Sequence, residues 1–300
     1  MLSVPCDALR RQGYQFFSTR SSAAVKPCLW CKSDLRSRGA CYKYQFYGIE
    51  SYRCVQMTPT LRCTQRCLYC WRSFEHEVTS EEEIAPEEIV SRIADLQKRA
   101  IAGFKVSSDV SLERFSEAAR PKHVAISLAG EPTCYSHLPE LIDLFHHEGC
   151  TTFLVSNGTR PWVLEHCRPT QMYLSLSAPD QEIYRRLCRP KSDASESWER
   201  VQESLDLLGG RRSAVRITLI HGINDCSPER YAAMVQDSGA MFVEVKGYMY
   251  LGFSRRRMRR ENMPEHHEVR RFAEEISKYA DYCIADENEK SRVALLRRCA

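Results

Sequence analysis

Three closely spaced cysteines constrain the fold and chemistry of this chain more than any other feature. Cys63, Cys67 and Cys70 have the spacing C-x3-C-x2-C and follow residues 52–58, which have the pattern of a β-strand. Pro59 ends that run, so the cysteines lie in a loop beyond the carboxyl end of the strand. Three thiolates are one fewer than the four that complete a structural zinc site or an ordinary electron-transfer cluster. The loop therefore predicts a metal centre with one open position.

The loop resembles that of the radical S-adenosylmethionine enzymes, in which three cysteines hold a [4Fe–4S] cluster and leave one iron open. Tyr69, the aromatic residue before the third cysteine, adds to the resemblance. The resemblance implies that the open iron binds the methionine moiety and that an electron from the cluster releases a 5′-deoxyadenosyl radical. A zinc knuckle, or cysteines without a shared ligand, is the alternative that the loop alone leaves open.

The chain has 15 cysteines, and whether they indicate disulfides or metal ligands depends on the rest of the sequence. Residues 1–20 are broken by charged and polar side chains, which argues against a secretory signal. No stretch approaches the roughly 20 apolar residues of a membrane span. Cysteines in such a chain indicate a reducing cytoplasm and metal ligation, and we expect no disulfides.

Six short segments rich in Val, Ile and Leu alternate with helical sequence, as expected for parallel strands that are buried on both faces. They are residues 52–58, 122–128, 151–155, 171–177, 214–219 and 241–246. Polar residues follow nearly every strand, which favours a partial (β/α)6 barrel with one mouth over an open doubly wound sheet. No G-x-G-x-x-G follows a strand, so a Rossmann nucleotide-binding domain loses support.

The polar residues at the strand ends are candidates for binding an ammonium, a ribose or a carboxylate. Helix capping or turn formation is the alternative role for each of them. The candidates are Glu131, Ser156, Asn157, Ser175, Ser177 and Arg216.

The amino-terminal part of the chain has a second set of cysteines. Cys28, Cys41 and Cys54 are thirteen positions apart each time, and Cys28 with Cys31 has the spacing of half a zinc site. Lys43 lies among aromatic residues, a setting that lowers the pKa of a lysine and favours Schiff-base chemistry. A surface lysine beside buried tyrosines is the alternative.

A dense basic run covers residues 255–260, in a chain whose formal net charge is only +4. Residues 295–298 add further basic charge near the carboxyl end. Such runs form either solvated surface or contacts with phosphate groups.

Several segments in order, between Cys28 and about Glu287, resemble the tRNA-Phe 4-demethylwyosine synthases, radical enzymes of wyosine-base formation. They are Cys41-Tyr-Lys-x-x-Phe-Tyr-Gly-Ile49, Cys54-x-Gln-Met-x-Pro59, Cys63-x3-Cys67-x2-Cys70-Trp-Arg72, Ser127-Leu-x-Gly-Glu-Pro132, Ser156-Asn157, Arg189-Pro190, Arg216-x-Thr-Leu219 and Glu244-Val-Lys-Gly247.

The resemblance implies two [4Fe–4S] clusters, one on Cys63, Cys67 and Cys70 and the other on the amino-terminal set, Cys28, Cys41 and Cys54. It leaves Cys31 without a ligand role and makes Lys43 the residue that forms a Schiff base with pyruvate. It also implies that the Gly-Glu-Pro and Ser-Asn segments contact S-adenosylmethionine.

The implied reaction joins pyruvate to N1-methylguanosine next to the anticodon of tRNA-Phe. A radical formed on the N-methyl group adds to the pyruvate ketone carbon, the pyruvate carboxyl carbon is lost, and ring closure gives the tricyclic base. The enzyme would be a lyase that needs an external electron donor of the flavodoxin or ferredoxin type, because we find no flavodoxin-like domain of the eukaryotic members. The expected domains are an amino-terminal extension with the second-cluster cysteines (1–50), a radical core (51–250) and a wyosine-base-formation extension (251–300).

Tyr248 and Tyr250 are candidates for a stacking platform under the target base, and core or rim positions are the alternative. Two other functions stay open. One is a radical enzyme of the same fold that acts on a peptide or small molecule. The other is a zinc-bound RNA-binding protein without catalysis, which would not need polar residues at six strand ends.

Overall fold

The computed structural model of the chain describes residues 6–72 and 82–299. These residues form two compact units. Unit 1 holds residues 6–63, 82–155 and 166–170, and unit 2 holds residues 64–72, 156–165 and 171–299.

Unit 1 contains five strands that pair in chain order, some antiparallel and some parallel. β1 and β2 pair antiparallel, β2 pairs antiparallel with β3, and β3, β4 and β5 run parallel. Its helices and strands are α1 Cys6–Arg11, β1 Gln15–Phe16, β2 Ala24–Val25, α2 Leu29–Leu35, α3 Tyr42–Tyr47, β3 Cys54–Thr58, α4 Pro86–Ile101, α5 Leu112–Ala118, β4 His123–Ile126, α6 Leu138–His147 and β5 Thr151–Ser156.

Helix α4 shows how the sequence determines an element of this unit. Pro86 occupies the first helical position, where its missing N–H costs nothing, and Glu87 and Glu88 face the positive end of the helix dipole. Ile89, Ile93 and other apolar residues at helical spacing are buried. The helix therefore covers the core with one apolar face.

Unit 2 contains five strands in the order β6-β7-β8-β10-β9. β6, β7 and β8 run parallel, and β10 pairs antiparallel with both β8 and β9. Its elements are α7 Pro161–Leu164, β6 Gln171–Ser175, α8 Gln181–Cys188, α9 Ala194–Asp206, β7 Ser213–Leu219, α10 Pro228–Ser238, β8 Phe242–Gly247, α11 His266–Ser277, β9 Tyr282–Asn288 and β10 Val293–Arg298.

All six predicted strands are present as β3 to β8, with ends that differ by no more than two residues. The parallel strands and their helical connections confirm the α/β class. The described residues contain no helix of the length and apolar character that a membrane span requires.

The carboxyl-terminal hairpin of β9 and β10 goes beyond the sequence prediction, which treated residues 295–298 as a basic surface. Val293 to Leu296 are buried, and the two arginines that follow are exposed. The hairpin also contains a disulfide between Cys283 and Cys299, whose Cα atoms are 5.3 Å apart. The expectation that the chain has no disulfides is therefore wrong for this pair. The antiparallel register brings the two cysteines together, and the sequence did not predict that hairpin.

Candidate active site

The amino-terminal cysteines of unit 1 lie at the starts of three elements. Cys28 caps α2, where its Sγ accepts a hydrogen bond from the backbone N–H of Cys31 at 3.3 Å. Cys41 precedes α3, and its backbone N–H donates to Ser51 Oγ at 2.9 Å. Cys54 is the first residue of β3. Three elements that are separate in sequence thus each contribute one thiol.

Electrostatic interactions show that these thiols are neighbours. Burial raises the pKa of Cys54 to about 12; the thiols of Cys28 and Cys41 act in the same direction, and Lys43 opposes them. Burial also raises the pKa of Cys28, and Lys43 again opposes it. Like charges in one buried place cannot all form without a compensating cation. This set of thiols therefore suits a bound cationic centre.

Lys43 lies in α3 and is half-buried, whereas the next residue, Tyr44, is exposed. The ammonium nitrogen of Lys43 is 5.2 Å from the centroid of the Phe153 ring, and Phe153 is buried in β5. The aromatic surroundings predicted from sequence thus include a ring from a distant strand. The amine sits beside the three cysteines rather than on open surface.

Cys31 is fully buried beside the same set. Its Sγ is 3.8 Å from Gln97 Nε2 and 3.9 Å from the carbonyl oxygen of Tyr52. Burial raises its pKa well above the usual thiol value, and the thiols of Cys28 and Cys54 add to the shift. A fourth thiol therefore lies next to the three that the sequence singled out.

The Gly-Glu-Pro segment follows β4 and packs against the chain just before Cys63. The backbone N–H of Glu131 donates to the carbonyl oxygen of Arg62 at 2.7 Å. The Glu131 carboxylate is 2 % exposed, and Oε1 accepts hydrogen bonds from the backbone N–H and the hydroxyl of Thr133. A side chain at Gly130 would place Cβ 2.5 Å from the carbonyl oxygens of Thr60 and Arg62. Only glycine permits this contact.

The Ser-Asn segment in unit 2 is joined to the second half of the cysteine loop. Asn157 Nδ2 donates to Thr64 Oγ1 at 2.9 Å, and the hydroxyls of Thr64 and Thr159 are 2.7 Å apart. Asn157 Oδ1 also accepts from the backbone N–H and hydroxyl of Thr159. Ser156 is buried, and its Oγ accepts from the backbone N–H of Gly158. These residues therefore order the loop as well as the turn.

Cys67 and Cys70 of the loop belong to unit 2. Cys63 is half-buried and is the last residue of the first stretch of unit 1. A hydrogen bond with Cys188, together with burial, raises the pKa of Cys67. Burial also raises the pKa of Cys70, while the positive charges of Arg72 and Arg257 lower it.

The remaining candidates lie on or just after the strands of unit 2. Ser177 is buried, and its Oγ is 2.9 Å from the hydroxyl of Tyr69 in the cysteine loop. Ser175 is half-buried and pairs in register with Arg216. The Arg216 guanidinium donates twice to one oxygen of the fully buried Glu244, at 3.0 and 2.7 Å. Arg216 thus has a structural ion pair in addition to the role predicted for it.

Sequence reasoning missed Arg257, which it grouped with the basic surface run. Its guanidinium donates to the carbonyl oxygens of Leu68, Cys70 and Arg72 in the cysteine loop. No local pattern separates this arginine from its neighbours, because the contact is formed across the fold.

Tyr248 has the core position that was the alternative to a stacking role. This residue is 2 % exposed, and its hydroxyl is 2.7 Å from Ser254 Oγ. It belongs to a buried apolar cluster. Tyr250 is half-buried at the edge of that cluster.

Among the described residues, no three His, Cys, Asp or Glu side chains already have a metal-binding arrangement. The donor chemistry nevertheless fits iron–sulfur clusters. All six candidate cysteines are outside the disulfide, and each is partly exposed. Thiols outside a disulfide can deprotonate to the thiolates that ligate iron–sulfur clusters.

Two family models match the chain. Residues 57–235 match the radical SAM superfamily, and residues 237–298 match the wyosine base formation family.

Named relatives match nearly the whole chain. The S-adenosyl-L-methionine-dependent tRNA 4-demethylwyosine synthase of Pyrococcus abyssi is 42 % identical, over 96 % of this chain and 87 % of its own length. The Methanocaldococcus jannaschii protein of the same name is 40 % identical, over 96 % of this chain and 94 % of its own length. The mouse protein, whose name adds TYW1, is 37 % identical over 97 % of this chain and 41 % of its own length.

Solved structures agree with these matches. A structure of TYW1 with a lysine-pyruvate adduct bound superposes with a TM-score of 0.89 at 39 % identity, covering 98 % of this chain and 95 % of that one. A crystal structure of archaeal TYW1 gives 0.81 at 36 % identity with the same coverage. Together with the radical SAM match, these likenesses confirm the fold class predicted from the strand pattern.

Proposed function

Because the chain belongs to the family of S-adenosyl-L-methionine-dependent tRNA 4-demethylwyosine synthases, we propose that it converts N1-methylguanosine next to the anticodon of tRNA-Phe into 4-demethylwyosine, with pyruvate as co-substrate. It is a radical SAM enzyme, and this family requires a [4Fe–4S] cluster and S-adenosylmethionine. The observation that carries the pyruvate half of the proposal is the grouping of Lys43 with Cys28, Cys41 and Cys54 in unit 1.

We assign Cys63, Cys67 and Cys70 to the radical cluster and Cys28, Cys41 and Cys54 to a second cluster. When bound, these clusters and S-adenosylmethionine supply the one-electron chemistry that removes a hydrogen atom from the N-methyl group. The electron comes from an external donor of the flavodoxin or ferredoxin type. Glu131, Ser156, Asn157, Ser175, Ser177 and Arg216 are the proposed contacts to S-adenosylmethionine. The proposed place of action is the cytoplasm, where tRNA is modified.

Lys43 acts as a nucleophile in this proposal. Its neutral amine attacks the ketone carbon of pyruvate, and loss of water from the resulting carbinolamine gives an imine. The imine holds the ketone carbon at a fixed place, so that carbon–carbon bond formation becomes an intramolecular step. Attack of the guanine amino group later releases the lysine amine. The proposed reaction thus needs one lysine close to both pyruvate and the base.

Trapping of the imine tests this role. Wild-type protein incubated with pyruvate and borohydride should gain one reduced pyruvate on the peptide that contains Lys43, measured by mass spectrometry. The Lys43→Ala variant should show no adduct and no tRNA product, yet still cleave S-adenosylmethionine without coupling. Lys26 is the matched control, because it is a half-buried lysine of the same unit whose ammonium is 4.8 Å from the Tyr14 ring centroid. Normal product formation by Lys43→Ala would refute the Schiff-base role.

Iron analysis tests the two clusters. Anaerobically purified protein should contain about eight irons, and replacement of either set of three cysteines by alanine should leave about four. Wild type could instead contain about four irons that are lost only when Cys63, Cys67 and Cys70 are replaced. That result would reduce the assignment to one cluster. Turnover without tRNA or pyruvate would instead favour a radical enzyme with another substrate. Colourless protein that contains zinc would favour the RNA-binding alternative.

A further inference from the structure

The carbonyl groups of the cysteine loop are bonded to a segment near the carboxyl end of the chain. Arg257 Nε donates to the carbonyl oxygen of Leu68 at 3.1 Å, and Nη2 donates to those of Cys70 and Arg72. The backbone N–H of Phe253 donates to the carbonyl oxygen of Trp71 at 2.9 Å. Four carbonyls between positions 68 and 72 are therefore satisfied by two residues of one short segment. We call residues 252–258 the clamp segment.

The clamp segment lies close against the loop. At Gly252, which has a φ of +53°, a Cβ atom would lie 2.3 Å from the carbonyl oxygen of Trp71. Ser254 is fully buried, and its Oγ donates to the carbonyl oxygen of Leu251 at 2.6 Å. Met258 is buried in the apolar cluster that also contacts Leu68. The clamp segment is thus anchored in the core of unit 2 on both sides of Arg257.

The arginines next to Arg257 have different surroundings. Arg255 and Arg256 are exposed, with guanidinium groups over the rings of Tyr250 and Phe253 at 5.5 and 4.9 Å. Arg259 and Arg260 are exposed as well. Arg255 donates to the nearby carbonyl oxygen of Tyr250, whereas Arg257 is half-buried and bonded to three carbonyls of the cysteine loop.

An arginine suits this task because its planar guanidinium presents five N–H donors in a fixed arrangement. A lysine has the same charge but carries a single nitrogen on a flexible stem, and it does not reproduce such a fork. Charge-assisted hydrogen bonds to Leu68, Cys70 and Arg72 fix the backbone on both sides of the Cys70 side chain.

We propose that Arg257 is a positioning residue for the radical cluster. Its guanidinium holds residues 68–72 in the conformation in which Cys67 and Cys70 present their thiolates to iron. The role rests on the proposed function, because it requires that these cysteines ligate a cluster. Groups that orient metal ligands typically contribute about 10- to 100-fold to metal affinity.

Retention of iron tests the role in the full-length protein with its clusters. Wild type, Arg257→Gln, Arg257→Lys and the control Arg260→Gln, an exposed arginine outside the clamp segment, are challenged anaerobically with a chelator, and iron release is followed over time. We expect Arg257→Gln to lose about four irons roughly 10- to 100-fold faster than wild type, while the other irons leave at the wild-type rate. Arg257→Lys should fall between, because it keeps the charge without the fork. Arg260→Gln should match wild type.

A spectrum separates positioning from general loss of structure. The electron paramagnetic resonance signal of the reduced cluster should change on addition of S-adenosylmethionine in wild type, and this change should be reduced in Arg257→Lys at unchanged melting temperature. If Arg257→Gln does not fold, Arg257→Lys carries the test. The inference would be overturned if Arg257→Lys showed the iron release and the spectrum of wild type. The same must hold for Arg257→Gln where that variant folds. Cys67→Ala distinguishes the two failures, because a variant that keeps all its iron would refute the proposed cluster itself.

Discussion

At the scale of the single residue, position 130 has the most specific requirement, because only glycine fits there. Its φ is +67°, and the carbonyl oxygens of Thr60 and Arg62 occupy the place of a Cβ atom. Gly149 has a similar φ of +73° but nothing within 4 Å of its Cβ position. The two glycines therefore separate the cost of the backbone conformation from the cost of a steric clash.

We predict that Gly130→Ala is much more damaging than Gly149→Ala. The control should lose about 1–2 kcal/mol of unfolding free energy from its left-handed backbone alone. Gly130→Ala should lose more, because Cβ meets backbone atoms that cannot rotate away, and it should weaken S-adenosylmethionine binding by displacing Glu131. Urea unfolding and calorimetric binding measure the two effects. Equal losses in the two variants would contradict the steric explanation.

The buried residue His123 makes the stability of the folded protein depend on pH. Burial lowers its pKa from 6.5 to about 4, with Lys122 acting in the same direction, and its Nδ1 is 2.6 Å from Thr151 Oγ1. The folded state holds the ring neutral while the unfolded state binds a proton below about pH 6.5, so stability falls as the pH falls from about 6.5 towards 4.

Between pH 7 and pH 5, this group alone should remove about 2 kcal/mol. Urea unfolding of wild type and of His123→Gln at the two pH values measures the difference, because glutamine does not titrate. The variant should lose less stability on acidification than wild type does. The same loss in both proteins would show that other groups cause the acid sensitivity.

At the scale of the element, the strands β3 to β8 were predictable because each is a short apolar run bounded by turn residues. The hairpin of β9 and β10 was not, because half of it is polar and its pairing with β8 joins distant segments. Spacing singled out Cys63, Cys67 and Cys70 but required the family resemblance to select Cys28, Cys41 and Cys54 as a set. It could not identify Arg257, Thr64 or Phe153, because their roles depend on contacts between residues that are far apart in the chain.

The same hairpin gives a testable redox property. Cys283 and Cys299 are 16 positions apart, and closure of a loop of about this length contributes roughly 3 kcal/mol in the chain-entropy model. We expect both cysteines to resist alkylation in protein purified without reductant and to react after reduction. Cys226, an exposed thiol of the same unit, should react in both states and serves as the control. Alkylation of Cys283 before reduction would show that the disulfide does not form in solution.

At the scale of the whole molecule, the net charge is modest, but exposed arginines are concentrated in one place. Arg255, Arg256, Arg259 and Arg260 lie close together on the surface of unit 2. If they bind tRNA phosphates, each contributes to affinity through release of counterions.

The Arg255→Gln and Arg260→Gln double variant should bind tRNA more weakly than wild type. The slope of log affinity against log salt should fall by roughly 0.7–0.9 for each phosphate that the variant no longer neutralises, measured by filter binding at several salt concentrations. Arg200→Gln is the control, because this arginine is already paired with Glu196 in a helix of the same unit. An unchanged salt slope in the double variant would place the tRNA-binding surface elsewhere.

The bonds from Arg257 to the cysteine loop join positions that are 185 to 189 residues apart. A ribosome adds about 5–20 residues per second, so roughly 10–40 s separate synthesis of the loop from synthesis of the arginine. During that interval the backbone of the cysteine loop lacks its hydrogen bonds to Arg257. We therefore expect cluster insertion to follow synthesis of Arg257, so that the proposed ligands made early in translation receive their iron only after the clamp segment has folded.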